Sequence, residues 1–130
     1  MCYCGRGNTF EFCCLPIISG LSEAKTAEDL MRSRYSAYAT IAVDYLIQST
    51  HSSQRKNYSP QEIETWARSC TWQKLEIIST KNGSIGDTKG IVEFRASFSD
   101  ENGKKQVHHE RSDFVKENGK WYFLKGVINP

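Results

Sequence analysis

The sequence predicts an α+β fold in which helices pack against an antiparallel sheet. Hydrophobic residues recur with a helical period in the first half of the chain, and the period changes to two after Trp72. Turn signals such as Asn82-Gly83 and Asn118-Gly119 separate the strand-like segments. Because the helices precede a run of strands instead of alternating with them, an antiparallel meander is favoured over parallel α/β units.

The longest predicted helix covers residues 26–49 and is the element around which we expect the rest of the chain to fold. Thr26 is placed to cap its first turn, where Glu28 and Asp29 also favour the helix dipole. Residues at steps of three and four trace one face, which contains Met31, Tyr35, Tyr38, Ala42, Tyr45 and Leu46.

A second helix is predicted to begin at Ser59, because Pro60 suits the first helical position and Glu62 completes a capping box. Its predicted buried side contains Ile63, Trp66, Ala67 and Cys70. The clearest strand face contains Val92, Phe94, Ala96 and Phe98. A third strand is predicted over residues 105–117, and a two-residue hairpin leads from it into a fourth strand over residues 120–127.

Composition indicates one ordinary globular domain. The 130 residues are 38% hydrophobic and 25% charged, and the net charge is only +2. Basic and acidic residues alternate along the chain, which does not favour nucleic-acid binding. No apolar run reaches the roughly 20 residues of a membrane span, and no leader pattern precedes the first helix. We therefore expect a cytoplasmic protein without a membrane partner.

Cysteines are concentrated at the N-terminus, where four of the five are Cys2, Cys4, Cys13 and Cys14. Without an export signal, such a density favours a metal site over disulfides. Gly5 and Gly7 allow a tight turn between the two pairs, and four thiolates suit a tetrahedral zinc ion. Two disulfides or four reduced thiols are the alternatives, although pairing Cys13 with its neighbour Cys14 would be strained. The predicted cofactor is zinc.

The pattern Cys2-x-Cys4-Gly5-x-Gly7, followed by Cys13-Cys14, resembles the SEC-C motif, a zinc module named from the C-terminus of the SecA translocation motor. Tyr3 and Arg6 stand where related motifs usually carry proline and serine. The run Leu-Met-Arg-Ser-Arg-Tyr-Ser-Ala-Tyr at residues 30–38 extends the resemblance to the YchJ family of uncharacterised bacterial proteins, together with residues 44–46 and 110–112.

This resemblance implies two units. Residues 1–20 would form the SEC-C-like zinc motif, and residues 21–130 would form a nuclear transport factor 2-like domain. Such a domain is a cystatin-like cone, in which helices close the concave face of a curved sheet. Cones of this type often dimerise through the sheet, so a homodimer is a further expectation.

The mouth of such a cone is a natural ligand site. Period two places His108, Glu110, Ser112 and Phe114 on one strand face. If Phe114 faces the interior, Glu110 needs a partner, and Arg34 is the candidate. The predicted pocket residues are Arg34, Tyr35, Tyr38 and Glu110. In the alternatives, an Arg34–Glu110 pair only holds the helix on the sheet, or Arg34 lies on a solvated flank.

Asp44 and His51 are the candidate catalytic residues. They are seven positions apart and would share a helix face if the main helix continued that far. Cones in other families use a His–Asp pair as the general base of dehydratases and isomerases, and histidine titrates in the right range. In the alternative, Asp44 is solvated and His51 merely stabilises the helix end.

Three functions are compatible with these features. The preferred hypothesis is an adaptor whose zinc motif contacts a protein or the ribosome. The second is a small-molecule-binding protein, or an enzyme of the lyase or isomerase type, that uses the cone pocket. In the third, zinc is only a staple for a segment too short to build its own core.

Overall fold

The computed structural model describes residues 1–130, and its elements confirm the predicted α+β order. The four helices are α1 (Leu15–Ile18), α2 (Ala27–Thr40), α3 (Val43–Gln48) and α4 (Pro60–Ser69). The four strands are β1 (Thr71–Asn82), β2 (Lys89–Ser99), β3 (Lys105–Glu117) and β4 (Lys120–Ile128). Short 3-10 turns cover Phe10–Phe12 and Arg55–Asn57. The predicted caps also form, because Thr26 accepts a hydrogen bond from the Asp29 amide and Ser59 accepts one from the Glu62 amide.

The single helix predicted over residues 26–49 is wrong, because the chain breaks it at Ile41. This residue adopts a left-handed conformation with φ 60°, which separates α2 from α3. That conformation costs roughly 1–2 kcal/mol for a residue with a side chain. The turn carries the end of α3 back toward the sheet, where Thr50 pairs with Phe123 of β4. Contacts remote in sequence therefore offset the local cost.

The strands form one antiparallel sheet in the order β1-β2-β3-β4. Its buried face on β2 is the predicted one, Val92, Phe94, Ala96 and Phe98. The hairpin between β3 and β4 turns at Asn118 and Gly119, which both have positive φ. Bulges in β1 and near Asp113 interrupt the regular pairing, and such irregularities bend strands.

The main hydrophobic core lies between α2 and the inner face of the sheet. Leu30, Met31 and Tyr35 of α2 belong to the same buried cluster as Phe94 and Phe114. Cys2, Cys4 and Cys14 also belong to this cluster. The N-terminal cysteines are thus packed into the core of the domain, while the boundary after residue 20 stays a prediction.

We expect that Gly90 does not tolerate a side chain, because the backbone of Gly83 and the side chain of Ala27 lie close to it. A Cβ atom at Gly90 would lie 2.5 Å from the Gly83 Cα and 3.0 Å from the Ala27 Cβ. Backbone cannot yield as a flexible side chain does, so Gly90→Ala should lower the free energy of unfolding by about 1–3 kcal/mol. Gly86→Ala is the control, since its Cβ would meet no atom within 4 Å. Equal urea midpoints for the two variants would refute this packing account.

Candidate metal centre and cone pocket

The four predicted metal ligands come together. The Sγ atoms of Cys2, Cys4, Cys13 and Cys14 all lie within 4.8 Å of one another. The positive φ angles of Gly5 and Gly7 turn the chain after the first pair. The 3-10 turn at Phe10–Phe12 then delivers the second pair at the start of α1.

The spacing of the sulfur atoms suits a tetrahedral metal ion. Four sulfurs about 2.3 Å from a zinc ion lie about 3.8 Å from one another. In the structure, Cys4 Sγ is 3.7 Å from Cys13 Sγ, which in turn is 4.0 Å from Cys14 Sγ. The cluster is therefore compatible with metal binding through four sulfur ligands.

Contacts among the thiols separate their pKa values. Hydrogen bonding from Cys14 is the largest cause that lowers the pKa of Cys4, to about 5. Burial raises the pKa of Cys13 to about 11, and the hydrogen bond to Cys4 raises the pKa of Cys14. Cysteine binds a metal as the thiolate, so binding an ion at this cluster would release protons.

Polar contacts join this cysteine cluster to α2. Arg32 donates from Nη1 to the Cys4 carbonyl at 2.7 Å, and Cys2 Sγ lies 3.5 Å from Ser36 Oγ. Arg6 forms ion pairs with Glu28 and Asp29 in the first turn of α2. Arg6 thus anchors the cysteine turn at the position where related motifs usually carry serine.

A cavity of about 140 Å³ lies between α2, α4 and the sheet. Its lining is mostly apolar and aromatic: Met31, Tyr35, Tyr38, Tyr58, Trp66, Trp72, Phe94, Ala96 and Phe123. The other lining residues are Arg34, His108, Glu110 and Ser112. All four predicted pocket residues therefore line one cavity.

Arg34 does not lie on a solvated flank, because it is only 7% exposed. Its Nη1 donates to the Leu46 carbonyl at 2.9 Å, to Ser49 Oγ at 2.6 Å and to Thr50 Oγ1 at 3.3 Å. The guanidinium carbon also lies 4.6 Å from the centre of the Phe123 ring. Every hydrogen bond that the Arg34 side chain makes to the protein goes to the segment that follows the break at Ile41.

The predicted ion pair between Arg34 and Glu110 is wrong. Glu110 instead accepts from His108 at 2.7 Å and from Ser112 at 2.6 Å, and both lie on its own strand face. Gly126 leaves room for this carboxylate, since a Cβ there would collide with it. His108 is a site residue that the sequence reasoning left out, although its position two residues from Glu110 was the signal that could have found it.

Glu110 is expected to contribute to the acid sensitivity of the fold. Burial would raise its pKa, but hydrogen bonds from His108 and Ser112, with the charges of His108 and Arg34, outweigh burial and hold the pKa below its ordinary value. A carboxylate with a lowered folded pKa stabilises the protein above its unfolded pKa of about 4.5, and this contribution is lost as the pH falls further.

Urea unfolding of the wild type and of Glu110→Gln between pH 7 and pH 3 tests this expectation. The wild type should lose more stability than the variant below about pH 4.5, because only the wild type titrates at this position. Parallel curves over the whole range would contradict a lowered pKa for Glu110.

The predicted His51–Asp44 pair does not form. The helix ends at Gln48, so the two residues do not share a helix face. His51 Nε2 lies 2.9 Å from Glu117 Oε2, and its Nδ1 lies 2.8 Å from Ser53 Oγ. Asp44 is exposed in the first turn of α3. Neither residue lines the cavity.

The cavity walls contain hydrogen-bond donors that the protein does not use. The Trp72 indole nitrogen is the one buried side-chain N or O atom without a hydrogen-bond partner. The hydroxyls of Tyr35 and Tyr38, which also line the cavity, form no hydrogen bond to the protein either. Burial raises the pKa of Tyr35 to about 12 and also raises that of Tyr38, so both keep their protons at neutral pH.

The helices pack over a four-stranded antiparallel sheet, and the N-terminal cysteine cluster could hold a metal ion. These two features define a cystatin-like protein of the SEC-C-containing class. Every helix falls short of the length and apolar content that a membrane span requires. Residues 26–126 match the family model described as YchJ, middle NTF2-like domain. The chain belongs to the YchJ family, and the curated relatives described next carry the name UPF0225.

One such relative, a UPF0225 protein of Geobacter sulfurreducens, is 41% identical over 126 residues, which are 97% of this chain and 78% of the relative. Another, from Photorhabdus laumondii, is also 41% identical and covers 98% of this chain and 80% of its own.

Solved structures agree with this assignment. The solution structure of RPA3114, a SEC-C motif containing protein of Rhodopseudomonas palustris, superposes with a TM-score of 0.90 at 35% identity over 99% of this chain and 98% of its own. A SEC-C motif containing protein of Psychrobacter arcticus gives a TM-score of 0.79 at 33% identity over 95% of this chain and 74% of its own. An uncharacterised protein of Caulobacter vibrioides with a cystatin-like fold, at 13% identity over 81% of this chain and 88% of its own, gives 0.51 and shows the fold alone.

Proposed function

We propose that this chain is a zinc-binding adaptor that contacts another protein through residues 1–20. The observation that carries the proposal is the exposure of large apolar side chains on the segment that the cysteines fold. Met1 and Phe12 are each 85% exposed, and Tyr3 is 52% exposed. Aromatic residues and methionine are enriched at protein interfaces, and the SEC-C resemblance supports the same function by analogy.

Zinc is the metal that the ligand set favours. Four thiolates in tetrahedral spacing bind zinc or an iron–sulfur cluster, and structural zinc sites commonly use four cysteines. A bound ion would fix the loop that presents Phe12, so less conformational entropy would be lost on binding a partner. Metal analysis of the purified protein at its native mass should give one zinc per chain. A protein without metal, or one that contains iron, would contradict the assignment.

The partner surface is tested with Phe12→Ser and the control Ile85→Ser. Phe12 lies beside the cysteines, whereas Ile85 is 65% exposed in the loop between β1 and β2. Both variants should keep their zinc and their melting temperature, because neither side chain is buried. In-cell cross-linking should give a partner band for the wild type and for Ile85→Ser, and the band should fall at least fivefold for Phe12→Ser.

Equal cross-linking by all three proteins would refute the proposed surface. A cross-linked species with twice the mass of the chain, lost only in Phe12→Ser, would instead assign the surface to a homodimer.

A second candidate function is the binding of a small molecule in the cone cavity. It is favoured by Arg34, which is buried in the cavity wall yet has hydrogen-bonding capacity that the protein does not use. If the cavity also performs catalysis, His108 is the candidate general base, because its hydrogen bond to Glu110 orients the imidazole. This pair would take the role that the sequence analysis gave to His51 and Asp44.

A further inference from the structure

The cavity contains the buried guanidinium of Arg34, and one edge of this group makes no hydrogen bond to the protein. All three protein acceptors of Arg34 bond to Nη1, and Nε and Nη2 make no hydrogen bond to the protein. Neither nitrogen is a fully buried atom without a partner, so each keeps some accessible surface, and Arg34 is one of the residues that line the cavity. The Nε–Nη2 edge of a guanidinium presents two parallel N–H groups, which match the two oxygens of a carboxylate.

The remaining polar groups of the cavity also favour a ligand that supplies hydrogen-bond acceptors. The two oxygens of Glu110 are each engaged, one by His108 and the other by Ser112. The unused donors include the Trp72 indole N–H and the hydroxyls of Tyr35 and Tyr38, which retain their protons. A ligand that supplies acceptors therefore fits this cavity better than one that supplies donors.

The size and walls of the cavity favour one aromatic ring. Its volume of about 140 Å³ resembles that of the apolar cavity of about 150 Å³ that binds benzene in another protein. Aromatic side chains already meet edge to face around it, with the Trp66 and Trp72 rings 5.1 Å apart and those of Tyr35 and Trp72 5.8 Å apart. Trp66 and Tyr58 are each more than one-third exposed, so they border solvent at the mouth.

We propose that this cavity binds a small aromatic carboxylate, with its ring among these aromatic side chains and its carboxylate on the Nε–Nη2 edge of Arg34. The positive guanidinium, stacked on Phe123, supplies the attraction for the anion. Glu110 carries the one negative charge among the lining residues. Hydrogen bonds from His108 and Ser112 stabilise this charge and so reduce its repulsion of the ligand. The proposal rests on the second candidate function and is independent of the zinc site.

Benzoate is the probe, with benzamide and acetate as comparators. Benzamide keeps the ring without the charge, and acetate keeps the charge without the ring. Titrations followed by amide chemical shifts, including the Trp72 indole N–H, give the dissociation constants. Benzoate should saturate at one molecule per chain and shift signals of cavity residues, and each comparator should bind at least tenfold more weakly.

Variants locate the site. Arg34→Lys keeps the charge but removes the planar edge, so it should weaken benzoate binding at least tenfold. Arg55→Lys is the matched control, because Arg55 also bonds the end of α3, through the Gln48 and Thr50 carbonyls, but does not line the cavity. Its affinity should stay within twofold of the wild type. Ala96→Leu fills the cavity from the sheet and should abolish binding even if Arg34→Lys fails to fold.

Each contrary outcome has a distinct meaning. Benzamide binding as tightly as benzoate would overturn the carboxylate while leaving a small-molecule pocket. Acetate binding as tightly as benzoate would overturn the aromatic ring. Undiminished binding by a folded Arg34→Lys variant or by Ala96→Leu would place the ligand elsewhere. No saturable binding of benzoate would overturn the inference, and the zinc adaptor would stand.

Discussion

Replacing Cys4 by serine is expected to remove the metal and to lower the melting temperature by roughly 15 °C, since structural zinc contributes several kcal/mol to folding. Cys4 is fully buried beside the other three sulfurs, and serine is a poor ligand for the ion. The effect should extend beyond residues 1–20. Cys2, Cys4 and Cys14 share a core cluster with Leu30 and Tyr35 of α2, so loss of the cysteine fold exposes that helix.

The matched control is Cys70→Ser, because Cys70 lies at the end of α4 and outside the cluster. It should keep one zinc per chain, and its melting temperature should stay within a few degrees of the wild type. Amide hydrogen exchange on the Cys4 variant distinguishes local from shared unfolding. If exchange accelerates only in residues 1–20, the cysteine motif is an autonomous unit. Full zinc content in the Cys4 variant would contradict the ligand assignment.

Replacing Arg34 by alanine is expected to lower the free energy of unfolding by about 3 kcal/mol, which corresponds to a melting temperature roughly 10 °C lower. The guanidinium is buried, makes three hydrogen bonds and stacks on Phe123. Its removal leaves a cavity and takes a charged donor from the Leu46 carbonyl and Ser49. The attachment of α3 to the sheet should weaken first.

Arg111→Ala is the control for Arg34→Ala. Arg111 is exposed on β3, so its loss should change the free energy of unfolding by no more than about 0.5 kcal/mol. Thermal and urea unfolding of the two variants give the comparison. A melting temperature for Arg34→Ala equal to that of the wild type would mean that the guanidinium is held only for a ligand and does not support α3.

Features that depend on near neighbours could be predicted from the sequence. The caps at Thr26 and Ser59 bond to amides three residues away. The hairpin at Asn118 and Gly119 needs only two residues with positive φ. The four clustered cysteines are all within 13 consecutive residues, and thiolate chemistry limits what such a set could bind.

Features that depend on remote contacts were missed or misassigned. The helical pattern continues through Ile41 without interruption, and the reason for the break lies in β4, where the Phe123 amide donates to the Ser49 carbonyl. The same break separates His51 from Asp44 and removes the proposed catalytic pair. It also supplies Arg34 with acceptors, so the arginine does not need Glu110.

Periodicity, turn chemistry and cysteine spacing were enough to predict the α+β class, the strand order, the buried face of β2 and a cluster of four cysteines that could hold a metal. The tertiary structure alone decided where the main helix ends and which groups Arg34 and Glu110 contact. A buried charge must find hydrogen-bonding partners. Those of Arg34 are carried to it by a turn whose stabilising contacts lie more than 70 residues further along the chain, at Phe123.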